Sequence, residues 1–250
     1  MTERTAEISP RLEARIAGGL YLIIIVAGFF SEALVRERLV VYGDAAATAQ
    51  NIMAHELLYR LGFAAGMILL PCNVPLAFIF YDLFKVVNRS LSALVAFFIL
   101  VGAAIESIDL LYHYAPLIIL EGERYSSGFT SEQLQALAYM SLRLHAVGFN
   151  ISLVSFSFYD LLAGYLLFRS SFLPRILGVL MATAGLCYLT DSFANFLSPG
   201  FAAHLVPYIL VPSGLGELSL CLWLLVIGLN EPRWQKQARL AGERQVKAAV

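Results

Sequence analysis

Residues 91–120 read LSALVAFFILVGAAIESIDLLYHYAPLIIL. The stretch holds two carboxylates, Glu106 and Asp109, one imidazole, His113, and no Lys or Arg. A helix needs about 20 mostly apolar residues to cross hydrocarbon. This run is therefore read as a spanning helix, long enough at ~1.5 Å per residue to tilt, kink or project beyond the bilayer. Glu106, Asp109 and His113 recur at i, i+3 and i+7 and so share one helical stripe. A mid-span carboxylate costs ~2.5–3.5 kcal/mol to insert. The stripe is expected to face other helices, not lipid.

Similar runs lie on either side, at 16–35, 61–84, 134–168, 174–197 and 205–229. Over the 250 residues, 59% are hydrophobic and 14% charged, and the mean hydropathy is +0.74. A soluble domain carries roughly 25% charged residues, so this chain has too little polar surface for water. The expectation is an all-α, polytopic membrane helical bundle: six transmembrane helices in a single domain, 1–230, followed by a basic tail, 231–250. The run at 134–168 is also too long for a straight crossing, and Pro116 and Gly148 are the expected points of bending in the two long spans. The first run is read as an uncleaved helix rather than a signal peptide, because Glu3, Glu7 and Glu13 accompany Arg4, Arg11 and Arg15 before it.

Basic residues set the direction. Arg4, Arg11 and Arg15, Lys85 and Arg89, Arg169 and Arg175, and Arg233, Lys236, Arg239, Arg244 and Lys247 make twelve of the seventeen Lys and Arg. All twelve fall on one side of a six-span path, with Arg36, Arg38 and Arg124 opposite and Arg60 and Arg143 at helix mouths. The positive-inside rule then places both termini in the cytoplasm. Net charge is −1, which argues against a nucleic-acid partner. The expected partners are membrane lipid and a small-molecule ligand, with a homo-oligomer left open. Cys72, Cys187 and Cys221 sit in apolar runs without metal-type spacing and read as packing residues.

An internal duplication is a second organising feature. Phe78-Ile79-Phe80-Tyr81-Asp82-Leu83 and Phe156-Ser157-Phe158-Tyr159-Asp160-Leu161 agree at five of six positions. Asp44 before an Ala-rich run, and Thr130 with Gln133 as a capping box, mark helix starts upstream of each copy. The units would be 44–120 and 130–197, pointing the same way as a parallel repeat. The plainer reading is that aromatic-Tyr-Asp beside an Arg turn is a good way to end a helix at the interface.

Polar groups inside the other spans complete a candidate pocket. Arg143, Asn150 and Ser157 repeat every seven residues, Cys187, Asp191 and Asn195 every four, and Ser213 and Glu217 are four apart beside Pro212 and Gly214, which are expected to loosen that helix. Counting residues along the spans puts Asp109 and Asp191 about two-thirds of the way out and Glu106 and Glu217 near the midplane. His113, His145, Arg60, Arg143 and Glu32 come out near the outer boundary. The pocket residues are thus Arg60, Glu106, Asp109, His113, Arg143, His145, Asn150, Asp191 and Glu217, open to the outside. The arginines and aspartates are read first as interhelical salt bridges and second as clamps for an anion or zwitterion.

No cofactor is expected and no metal ligand is assigned. A site of His113 and His145 with Asp109 and Asp191 is the rival, enzymatic reading, but no H-E-x-x-H motif occurs and the sole same-helix pair is Asp109 with His113. Glycine-rich phosphate loops, a nucleophile elbow and CxxC are absent from the sequence. The leading reading is binding or transport of a small polar or amphiphilic ligand, followed by an intramembrane hydrolase and by a non-catalytic scaffold.

Several stretches carry a family resemblance: Arg15-Ile16-Ala17-Gly18-Gly19-Leu20-Tyr21-Leu22, Gly43-Asp44-Ala45-Ala46-Ala47-Thr48-Ala49, Phe172-Leu173-Pro174-Arg175-Ile176-Leu177-Gly178, Asp191-Ser192-Phe193 and Gly216-Glu217-Leu218-Ser219-Leu220. Over about residues 11–230 the chain resembles a bacterial membrane family known as domain of unknown function 4386. The resemblance implies a bacterial inner-membrane protein and brings no activity or site roles with it.

Overall fold

The computed structural model describes residues 9–121 and 128–248, with side chains described as far as Glu243. Glu3, Arg4, Glu7 and Arg124 lie outside the described residues, as do the side chains of Arg244 and Lys247. Among the described residues every regular element is helical. They are α1 (Pro10–Leu39), α2 (Ala45–Ala54), α3 (Glu56–Phe84), α4 (Arg89–Glu121), α5 (Ser131–Arg169), α6 (Arg175–Leu197), α7 (Pro199–Leu205), α8 (Leu210–Val226) and α9 (Glu231–Ala248). Five of these, α1 and α3–α6, are long and apolar enough to cross a membrane, and α7 with α8 makes a sixth if that bent pair is one span. The protein is an all-α, multi-pass membrane bundle.

Local chemistry sets the boundaries. Asp44 caps α2 by accepting from the Ala47 N–H at 2.8 Å. Thr130 and Gln133 close a full capping box at the start of α5, with bonds of 2.8 and 3.3 Å. Asn88 and Asn230 accept from Leu91 and Arg233 at the starts of α4 and α9. The sixth run differs from expectation. It breaks at Val206–Ile209, bending by 56°, and not at Pro212 or Gly214. Pro207 forces Val206 into extended backbone (φ −79°, ψ 135°). Pro212 instead falls in the first turn of α8, where a missing N–H costs nothing. Pro116 and Gly148 lie inside unbroken helices. The 39 residues of α5 extend about 58 Å, well beyond ~30 Å of hydrocarbon, so this helix projects into the water phase.

Burial is organised for lipid. On α4, Ile108 and Leu111 are 64% and 70% exposed while Asp109 and His113 are 3% and 0% exposed. Large apolar side chains such as Phe29, Phe78 and Phe97 also point outward. A surface of this kind suits hydrocarbon and would aggregate in water.

The chain divides into two compact units. The first comprises Met1–Leu22, Asn73–Val101 and Leu153–Val250, the second Ile23–Cys72 and Gly102–Ser152. Backbones meet closely in the first unit: a Cβ added at Gly178 would lie 2.6 Å from the Gly164 carbonyl oxygen, and one at Gly216 2.6 Å from that of Leu180. Small residues at such crossings are the usual means of packing helices in lipid. The tail helix α9 docks on the same unit, with Trp234 Nε1 donating to the Leu83 carbonyl at 2.9 Å and Ser171 Oγ donating to Gln237 at 2.7 Å. The second unit packs Val35, Leu39, Ile52, Tyr59, Leu117 and Leu142 into an apolar cluster. There α2 is tied down by Asn51 donating to the Leu39 carbonyl at 3.1 Å, and Tyr139 accepts from the Gly43 N–H at 2.8 Å.

Candidate functional site

In the second unit α1 changes its winding. Phe30–Arg36 forms a π-helical segment, and the Glu37 N–H bonds to the Glu32 carbonyl, five residues back. Such segments are rare and recur at functional sites, because the wider turn re-aims the side chains it carries. The side chain re-aimed here is Glu32. Arg36 Nε holds its Oε2 at 2.5 Å, while Arg36 Nη2 reaches Glu37 at 2.7 Å. Glu32 Oε1 lies 3.1 Å from Nε2 of His145 on α5.

The other face of the His145 ring meets α4. Nδ1 lies 2.7 Å from Asp109 Oδ2 and 3.4 Å from the Asp109 carbonyl oxygen. One imidazole thus stands between two carboxylates from two other helices. Gly148 makes room for this: a Cβ there would overlap the Asp109 carboxylate. The glycine expected to bend α5 is instead a socket for the aspartate.

His113, one turn beyond Asp109, is fully buried, and neither ring nitrogen has a hydrogen-bond partner among the described residues. Its ring sits edge-on to His145 (centroids 5.0 Å apart) and against Tyr59 (4.9 Å). The Tyr59 hydroxyl donates to the His113 carbonyl, tying α3 to α4. Both carboxylate oxygens of Asp109, and Asn150 Oδ1, are also buried without a well-directed hydrogen bond, Asp109 Oδ2 meeting His145 only as a close ion-pair contact. Asn150 spends its amide N–H on the Ala146 carbonyl, 2.8 Å away. Each such orphan costs about 1–3 kcal/mol and calls for a physical reason. Ligand atoms of Glu32, His113 and His145 all lie within 4.8 Å of one another, close enough to hold a metal ion.

The remaining candidates are distributed as follows. Arg60 pairs with Glu56 (2.6 Å) and Glu121 (2.7 Å) and bonds Tyr114, at the half-exposed edge of the second unit. Arg143 is exposed. Among the described residues neither arginine pairs with Asp109 or Asp191. Glu106 is half-buried in the second unit. Asp191 and Glu217 belong to the first unit, where Asp191 accepts from Asn195 at 3.3 Å and Tyr188 donates to Glu217 at 3.1 Å. His55 and His204 are exposed.

Glu32 and Asp160 are acids that fall outside the candidate set drawn from sequence. For Glu32 the available signal is a carboxylate inside an apolar run with Arg36 four residues on. Asp160 belongs to the repeated hexapeptide, but the two copies have unlike surroundings. Asp82 ends α3 in an ion pair with Lys85, at 2.5 Å. Asp160 is fully buried in α5, nine residues before its end, with both oxygens unpartnered. Tyr21, Tyr159, Tyr188 and Glu217 lie within electrostatic reach of it or of one another in the first unit.

No curated protein and no solved structure matches the chain. The family model that does match is described as "Domain of unknown function (DUF4386)" and covers residues 16–228. A match over most of the chain, reaching every apolar helix named above, establishes that this multi-pass membrane protein belongs to the DUF4386 family.

Proposed function

We propose that this protein binds a small polar ligand at the array formed by Glu32, His145 and Asp109 with His113, and serves as a binding or transport protein for it. The observation that carries the reading is the set of buried atoms without a hydrogen-bond partner in the array: both nitrogens of His113 and both carboxylate oxygens of Asp109. Polar groups inside a membrane are expensive and concentrate where ligands, ions or protons pass. The side chains of His145 and Asp109 are 3% and 2% exposed, which favours a ligand of a few atoms over an amphiphile. The distribution of Lys and Arg supports an orientation with both termini in the cytoplasm and access from the opposite side. The family resemblance supports a bacterial inner membrane.

The test is thermal unfolding of the purified protein in detergent against a panel of inorganic cations, phosphate, amino acids and short carboxylic acids. At least one compound is expected to raise the melting temperature of the wild type and not that of Asp109→Asn. A panel that shifts both proteins equally removes the array from the binding site and favours a scaffold whose charges only join helices.

A further inference from the structure

We propose that the ligand of this array is a divalent transition-metal ion of the zinc class, held by Glu32 Oε1, His145 Nε2 and a ring nitrogen of His113. The inference rests on the binding site proposed above and names its ligand class. Zinc bonds nitrogen and oxygen at about 2.0–2.2 Å, which sets two ligand atoms of a tetrahedral centre about 3.4 Å apart. His145 Nε2 and Glu32 Oε1 already stand 3.1 Å apart, and all three donors fit within 4.8 Å. Bringing the third donor to that spacing takes a movement of up to about 1.4 Å.

The surroundings match what such a centre needs. Asp109 contacts His145 Nδ1 at 2.7 Å, which favours the tautomer that leaves the Nε2 lone pair free for metal. Metal-bound histidines typically have such a carboxylate behind them. Arg36 occupies the second oxygen of Glu32 at 2.5 Å and leaves the first to His145 Nε2 or, in its place, to the metal. Two imidazoles and one carboxylate suit zinc and its neighbours better than magnesium or calcium, which prefer all-oxygen shells. Proton sharing along Glu32, His145 and Asp109 would account for those three groups without metal. It leaves His113, fully buried with both nitrogens unpartnered, without a role. Three protein ligands would keep a fourth position open.

The experiment uses the full chain in lipid nanodiscs, with any affinity tag removed, stripped by chelator and dialysed against zinc alone. Metal per protein is read by mass spectrometry, and cobalt(II) substitution by visible absorption. A single equivalent of zinc and a tetrahedral cobalt spectrum are expected in the wild type. His113→Ala and His145→Ala should lose both, Asp109→Asn should bind about 10–100-fold more weakly, and His55→Ala and His204→Ala should match the wild type. If a cluster variant fails to fold, the wild-type cobalt spectrum still reports the donor set. Absence of zinc from the wild type, or equal retention by folded His113→Ala and His145→Ala, overturns the proposal. Should zinc be absent while another compound's thermal shift is still lost in Asp109→Asn, the cation class is wrong and the binding site stands; should both readouts be blank, both readings fall.

Discussion

The two units solve the problem of burying polar groups in opposite ways. In the second unit acids are balanced by bases: Glu32 by Arg36 and His145, Asp109 by His145, Glu56 and Glu121 by Arg60. In the first, Asp160 is buried and Glu217 half-buried among tyrosines, and no ion pair reaches either acid among the described residues. Their glycines differ in parallel. Gly164, Gly178 and Gly216 bring backbone against backbone in the first unit. In the second, Gly62, Gly66 and Gly148 make space for the side chains of Val35, Leu110 and Asp109. One unit is held by close helix crossings and keeps an ion pair, Asp82 with Lys85, at a helix end. The other joins its helices through charged side chains beside an apolar cluster.

Removing the base from the second unit should have the largest effect. His145→Leu leaves buried Asp109 and half-buried Glu32 without their shared partner, and a buried pair broken on one side loses about 3–5 kcal/mol. Denaturant titration of the detergent-solubilised protein would measure it, and a loss below about 1 kcal/mol would mean the pairing is not structural. Gly178→Ala should follow at about 2–3 kcal/mol, since backbone atoms cannot step aside for the new methyl. A melting curve unchanged from wild type would refute the close crossing with Gly164.

Gly148→Ala sharpens the contrast. The atoms it meets belong to the Asp109 side chain, which can swing away, so stability should fall by only about 1 kcal/mol. Ligand or metal binding should weaken in the same variant, because the swing pulls Asp109 from His145. In the first unit Glu217→Gln keeps a carbonyl acceptor for the Tyr188 hydroxyl and should cost less than about 1 kcal/mol. A loss as large as that of His145→Leu would show that Glu217 carries a charge balanced by something else. Arg60→Gln is expected to leave the unfolding midpoint where it was, because its pairs with Glu56 and Glu121 are half-exposed.

Much of the scaffold is legible in the amino-acid order. The inward stripe on α4 follows from the period of a helix and the cost of a carboxylate in hydrocarbon, and Asp109 and His113 are buried as that argument requires. Asp44 and the Thr130–Gln133 box announce their helix starts through local hydrogen bonding alone. The candidate site is legible only in part. An unaffordable charge marks Asp109, and polarity in an apolar run marks His113 and His145, but neither feature identifies their partners. Opposite charge matches Arg60 and Arg143 to Asp109, yet charge does not say which way a long side chain reaches. Glu32 counts out to the outer boundary as His113 and His145 do, but its meeting with His145 follows a π-helical segment that an apolar run does not reveal.

Composition and charge are sufficient to establish a helical, multi-pass membrane protein, because spanning helices satisfy their own backbone and need only length and apolarity. Which acids share a base is a different kind of fact. Glu32 meets His145 across 113 positions of sequence and Asp109 meets it across 36, and those meetings depend on the winding of α1 and on the hollow at Gly148. Only packing in three dimensions could separate Asp109 from Asp191 and Glu217, since side chains that look alike in an apolar run are sorted by what the neighbouring helices bring to them.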